Sequence, residues 1–178
     1  MADVQVGKRY AQAAFELALD GGGDLARWRS DLNDMAQVLA ESQVAPLLND
    51  SRIALDRRQA MVDRVLEVQP LIRNLAKVLI ARGRAVDARA VADAFNRLAD
   101  EHEGLAHAQV TTAVDLSPAQ VADIERRLGS ALGKRVQART AVDPALLGGV
   151  VVRVGDKLVD GSVRTRLRQL RRELEGAL

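Results

Sequence analysis

Apolar residues recur at intervals of three and four through roughly the first hundred positions, and intervals of two first appear after Gly104, where the period changes. Over residues 4–19 the stripe Tyr10, Ala13, Ala14 and Leu17 runs beside a second one, Ala11, Phe15, Ala18 and Leu19. Together they predict a helix with more apolar surface than one core contact uses. Gly21-Gly22-Gly23 ends it, and Asp24 is placed to cap a second helix over 25–41, with Leu25, Trp28, Leu32, Met35 and Leu39 inward. Ser42 is expected to cap a short piece carrying Val44, Leu47 and Leu48, and 56–68 reads as a further amphipathic helix. Pro70 opens the fifth helix where its missing N–H does no harm. Along that helix Leu71, Ile72, Leu75, Ala76, Val78, Leu79 and Ile80 cover most of the circumference, again a surplus. A last helix over 86–103 turns Val91, Phe95, Leu98 and Ala99 inward, and six short helices with brief connections predict an antiparallel bundle.

Beyond Gly104 the segment 106–114 alternates loosely and is rich in β-branched residues, as a strand is. Ser117-Pro118 is an N-cap followed by a first-turn proline, Val121, Ile124, Leu128, Ala131 and Leu132 give that helix its apolar face, and Gly133 stops it. Residues 135–142 alternate again. The densest stretch follows: Gly148-Gly149, the apolar run Val150-Val151-Val152, a turn at Gly155-Asp156, a short strand at Lys157-Leu158-Val159, a turn at Asp160-Gly161, and a helix beginning at Ser162. The glycines read as suppliers of positive φ at these turns. The fold class is therefore α+β. A six-helix antiparallel bundle over 1–104 precedes a small β-α-β-β-β-α domain over 105–178, whose sheet order the pattern leaves open.

Composition narrows the function. The 178 residues are 48% apolar but only 2% aromatic, and there is no cysteine, which excludes disulfides, thiolate metal sites and cysteine nucleophiles. No run approaches the ~18 apolar residues of a membrane helix, and the N-terminus lacks a secretory apolar core, so a soluble, cytoplasmic protein without direct membrane insertion is expected. Residues 126–178 hold 12 Lys/Arg against 5 Asp/Glu, a charge of +7, leaving 14 against 19, or −5, in residues 1–125. The two ends are suited to different partners.

Candidate chemistry is sparse. His102 and His107, five apart, share no helical face, and exposed polar residues at a linker explain them better than a metal site with Glu101 and Glu103. Carboxylate pairs such as Glu101/Glu103 or Asp156/Asp160 lack a pocket, oxyanion donors or a nucleophile. Neither glycine cluster has phosphate-loop or dinucleotide spacing. No catalytic residue, metal or cofactor is expected. In the last helix Val163, Leu167, Leu170 and Leu174 form a seam, and Arg164, Arg166, Arg168, Arg171 and Arg172 fill the other faces. A nucleic-acid-binding regulator is the alternative reading, but residues 105–178 contain no Phe, Tyr or Trp on which a base could stack, so an acidic protein partner fits better.

The segment Tyr10-Ala11-Gln12-Ala13-Ala14-Phe15 together with the run 148–167, GGVVVRVGDKLVDGSVRTRL, resembles the delta subunits of bacterial F-type ATP synthases, relatives of the mitochondrial oligomycin-sensitivity-conferring protein. The likeness extends over the whole chain. It implies a peripheral-stalk subunit on the cytoplasmic side of the plasma membrane, linking the catalytic head to the stalk without catalysis. The bundle would receive the N-terminal helix of an alpha subunit between its first and fifth helices, on Tyr10, Ala13, Ala14, Leu17, Leu75, Val78 and Leu79. The second domain would meet the C-terminal part of the b subunits, through the motif that includes Gly148, Gly149, Gly155, Asp160, Gly161, Ser162, Arg164 and Leu167. Nucleic acid is not an implied partner.

Overall fold

The computed structural model describes residues 4–155 and 157–176. Asp156 of the expected Gly-Asp turn lies outside them, as do the side chains of Leu170, Arg171 and Leu174. Among the described residues the chain is a mixed, helix-rich α+β protein with eight α-helices and one four-stranded sheet. It divides into two compact units, residues 1–99 and 100–178.

The first unit contains α1 (Val4–Asp20), α2 (Leu25–Ala36), α3 (Ala45–Asn49), α4 (Leu55–Val65), α5 (Pro70–Ala81) and most of α6 (Ala88–His102). Asp24 caps α2 by accepting from the Arg27 N–H at 3.1 Å. Pro70 stands at the first turn of α5, after an extended Gln69. The expected continuous helix over 25–41 instead widens into a π-turn at Gln37–Glu41. Side chains answer the carbonyls this turn leaves: Ser42 Oγ donates to Val38 O at 2.7 Å, and Asn49 Nδ2 donates to Leu39 O at 3.2 Å. Ser42 therefore bonds backward and does not cap α3, whose N-cap, Val44, has no side-chain bond. The helix expected over 56–68 ends at Val65, where Leu66 turns extended and is buried, and the Arg73 guanidinium donates to the carbonyls of Leu66 and Val68.

The core of this unit is Ala and Leu around three aromatic rings. Phe15 meets Phe95 edge-on at 5.9 Å between centroids, and Trp28 stacks on Phe95 at 6.1 Å. Gly7 lets α1 approach α6 closely: a Cβ there would lie 2.8 Å from that of Ala90.

The second unit runs β1 (Leu105–Thr112), α7 (Pro118–Leu132), β2 (Arg135–Val142), β3 (Val150–Val154), β4 (Lys157–Asp160) and α8 (Val163–Gly176). The sheet order is β2-β1-β3-β4, with β1 and β2 parallel and the other pairs antiparallel. The parallel pair needs a crossover, and α7 is that crossover. Its start is fixed by a capping box in which Ser117 and Gln120 each serve the other's backbone N–H, and its end by left-handed Gly133. Ala108, Val110, Val136 and Val152 form the buried core, with Ile124 and Leu128 of α7 against it. Glu125 accepts from the Ala138 N–H at 2.7 Å and so satisfies a donor of β2.

Candidate functional site

The first candidate site is the α1–α5 face. An apolar hollow of about 80 Å³ is lined by Tyr10, Ala13, Ala14 and Leu17 of α1, Trp28 of α2, and Leu71, Ile72 and Leu75 of α5. The helical period puts the four α1 residues in one row. Of the neighbouring row, Ala11, Phe15 and Ala18 are buried in the core, as is Ala14 of the first, while Leu19 stays exposed. Leu17, Leu71 and Val78 remain nearly half exposed, at 49%, 48% and 44%. Burying a large aliphatic side chain stabilises by roughly 1.5–3 kcal/mol, so each half-exposed one leaves about 1 kcal/mol for a partner to gain.

Leu79, expected on this face, is fully buried in the core, and Val78 is exposed but does not line the hollow. Leu71 and Ile72 line it although the sequence reading does not place them there, and Trp28, which reads as a core or groove-edge residue, lines it too. The i, i+4 spacing of Leu71 and Leu75 was an available signal, whereas the contribution of α2 depends on tertiary packing. Beside the hollow, Val6, Arg9, Tyr10, Arg82 and Arg84 surround a second depression, so a row of guanidinium groups flanks Tyr10.

The second candidate site is the junction that starts α8. Leu147, Gly148 and Gly149 form a run with φ of 59°, 143° and 84°. Here the chain passes so close to the Asp160-Gly161-Ser162 turn that a Cβ on Gly149 would sit 2.5 Å from Gly161 O and 2.9 Å from Ser162 Cα. Two backbone bonds close the junction, Gly161 N–H to Val150 O at 2.9 Å and Val163 N–H to Gly148 O at 3.0 Å. Ser162 caps α8 by accepting from the Thr165 N–H. Arg164 donates to Ala145 O at 2.7 Å.

Gly161 differs from expectation. Its φ is not in the left-handed region, and space explains it instead, because a Cβ would lie 3.1 Å from Val150 O. Gly155 does have a left-handed φ, 55°, with open space around it. Gly148, Gly149, Asp160, Gly161, Ser162 and Arg164 are thus brought together as a self-bonded knot. Leu167, 57% exposed, lies outside it with Leu147, Leu158 and Val159, which are also exposed. Leu147 combines a left-handed φ with an exposed apolar side chain, a feature visible only in the backbone.

Asp160 holds this knot electrostatically. Its carboxylate accepts from the Thr165 hydroxyl at 2.7 Å and from the Ser162 N–H at 2.9 Å, which keeps its pKa below the ordinary 3.8, with Arg168 adding a smaller attraction. A depressed carboxylate stabilises the folded form above the unfolded pKa and loses that contribution as pH falls through the folded one. Asp160→Ala is expected to lower the urea midpoint of the second unit at neutral pH. The gap to the unsubstituted chain should close as pH drops well below 3.8. A gap that persists in acid would assign the effect to packing.

His107 Nε2 lies 3.2 Å from Asp100 Oδ2. Among the described residues no three His, Asp or Glu side chains converge as metal ligands, and no helix is long and apolar enough to cross a membrane.

Comparison with known proteins bears on the whole chain. Residues 6–174 match the family model described as ATP synthase delta (OSCP) subunit. The chain is 38% identical over 169 residues to ATP synthase subunit delta of Dehalococcoides mccartyi, covering 95% of this chain and 93% of that one. It is also 38% identical over 175 residues to the protein of the same name from Symbiobacterium thermophilum, covering 97% and 94%. Among solved structures, a chain of the Toxoplasma gondii mitochondrial ATP synthase hexamer shares the fold at a TM-score of 0.66 and 22% identity, covering 94% of this chain and 96% of that one.

Proposed function

Because the chain belongs to the ATP synthase delta (OSCP) subunit family, a peripheral-stalk component of F-type ATP synthase, we propose that it works as a non-catalytic clamp with two ends. The first unit, a six-helix bundle in this reading, takes the N-terminal helix of an alpha subunit into the α1–α5 face. The second unit, residues 105–178 with the last turn of α6, takes the C-terminal part of the b subunits on the exposed apolar residues around α8. Its place is the cytoplasmic face of the membrane, as a peripheral subunit. A stator resists torque by tight binding, so its requirements are shape and affinity, not a reactive group.

The observation that carries this reading is the surplus apolar surface of α1 and α5, which surrounds an open hollow instead of closing on the core. An amphipathic helix laid into such a groove is a common recognition mode. The basic C-terminal helix would otherwise suit a nucleic-acid regulator, but the absence of Phe, Tyr and Trp from 105–178 favours a protein.

The reading is tested by reconstitution. Membranes depleted of this subunit should regain ATP-driven ion pumping when the purified, folded chain is added. Pumping that stays uncoupled after addition of folded chain would overturn the reading.

A further inference from the structure

The sheet of the second unit has one face packed by α7 and one face open. Strand alternation places Ala108, Val110, Val136 and Val152 on the packed face. The open face therefore carries His107 and Gln109 of β1, Arg135 and Arg139 of β2, and Arg153 of β3.

The register sharpens this. Gln109 pairs with Arg139 on one side and with Arg153 on the other, so the three side chains form a row across three strands. With strands roughly 4.8 Å apart, the two arginines stand about 10 Å from each other. All three residues are exposed, and they line a hollow of about 540 Å³ with His107 and Ala141.

Among the described residues two carboxylates stand at this face itself, and both are already bonded. Asp100 is bonded to His107, and Asp160 is occupied by Ser162 and Thr165. Among the described residues none forms an ion pair with Arg139 or Arg153.

We propose that this open face is a docking surface for an acidic protein segment that presents two carboxylates about 10 Å apart, as residues i and i+7 do on one side of a helix. Each carboxylate takes one guanidinium, and Gln109 between them offers an amide to the intervening backbone or side chain. The unit has no Phe, Tyr or Trp to stack a base and only His107 on this face, which favours a protein over a nucleic acid. The surface is separate from the α1–α5 groove and rests on its own observation.

The test places a photoreactive p-benzoylphenylalanine at Gln109 in the full chain, assembled into its membrane complex. After irradiation the captured segment is sequenced by mass spectrometry. The expected result is a segment with two Asp or Glu residues within two helical turns, whose capture falls at least fivefold in R139Q/R153Q and is retained in R139K/R153K. The lysine pair shows that loss in the glutamine pair reflects charge and not misfolding. A captured segment without such acids, a nucleic acid, capture indifferent to the glutamine pair, or no capture from the assembled complex would each overturn the proposal.

Discussion

Replacing Gly149 with alanine should detach the start of α8 from the sheet while leaving the first unit folded. Two costs coincide at this position. The backbone φ of 84° lies where L-residues rarely go, and the added Cβ would sit 2.5 Å from Gly161 O and 3.2 Å from Val163 N, both main-chain atoms that cannot rotate away. Relief requires the junction to open, which breaks the Gly161–Val150 and Val163–Gly148 hydrogen bonds and uncovers the Ser162 cap. The combined loss is roughly 3–4 kcal/mol, at the upper end of single substitutions. Gly155→Ala is the control, since its φ of 55° is unfavourable but nothing lies within 4 Å of the new methyl, so only about 1–2 kcal/mol is at stake. Amide exchange would report both: fast exchange at Gly161 and Val163 in the Gly149 variant alone, with unchanged emission from Trp28, the one tryptophan, in the other unit. Equal effects of the two variants would show that the close approach does not hold the junction.

The second large effect is expected at Ala13. This residue is exposed on α1 and lines the apolar hollow, so Ala13→Arg puts a long charged side chain into the groove without touching the core. Surface substitutions of this kind usually change folding stability by no more than about 0.5 kcal/mol. Binding is another matter, because an incoming helix would have to desolvate the guanidinium or lose contact with Tyr10, Leu17 and Leu75. A loss of at least roughly 100-fold in affinity follows, about 2.8 kcal/mol at 1.4 kcal/mol per tenfold. Leu79→Ala makes the contrast: that side chain is buried, so its truncation should cost about 2–5 kcal/mol of stability. Calorimetry of folding and of peptide binding on both variants separates the two roles. Intact binding in Ala13→Arg would place the partner elsewhere.

Local signals were legible wherever one residue type decides one backbone event. The Asp24 cap, the first-turn Pro70, the Ser117-Pro118 start and the left-handed Gly133 all stand where the sequence places them. Each depends on neighbours within four positions. The π-turn at Gln37–Glu41 was not legible, because the donors that support it come from Ser42 and from Asn49, the latter ten residues beyond Leu39. Gly161 was readable as a turn residue but not for its reason, since the crowding there comes from Val150 on another strand.

The same division applies to the sites. The periodicity of Tyr10, Ala13, Ala14 and Leu17 defines a stripe. Which of two adjacent stripes is buried, and that Leu79 turns inward while Leu71 stays out, is decided by packing between helices. The row Arg139, Gln109 and Arg153 exists only once the register of three strands is known, and no spacing along the chain announces it. Sequence order thus exposes faces, while tertiary structure decides which faces remain available.

The central claim is that the surplus apolar face of α1 and α5 binds the N-terminal helix of an alpha subunit. The most direct measurement is a titration of the full chain with a synthetic peptide of that helix, followed by calorimetry and by the fluorescence of Trp28, which lines the hollow. The predicted result is saturable one-to-one binding at micromolar peptide, with a change in Trp28 emission that disappears in Ala13→Arg. A folded chain that gives neither heat nor a change in emission at those concentrations would contradict it.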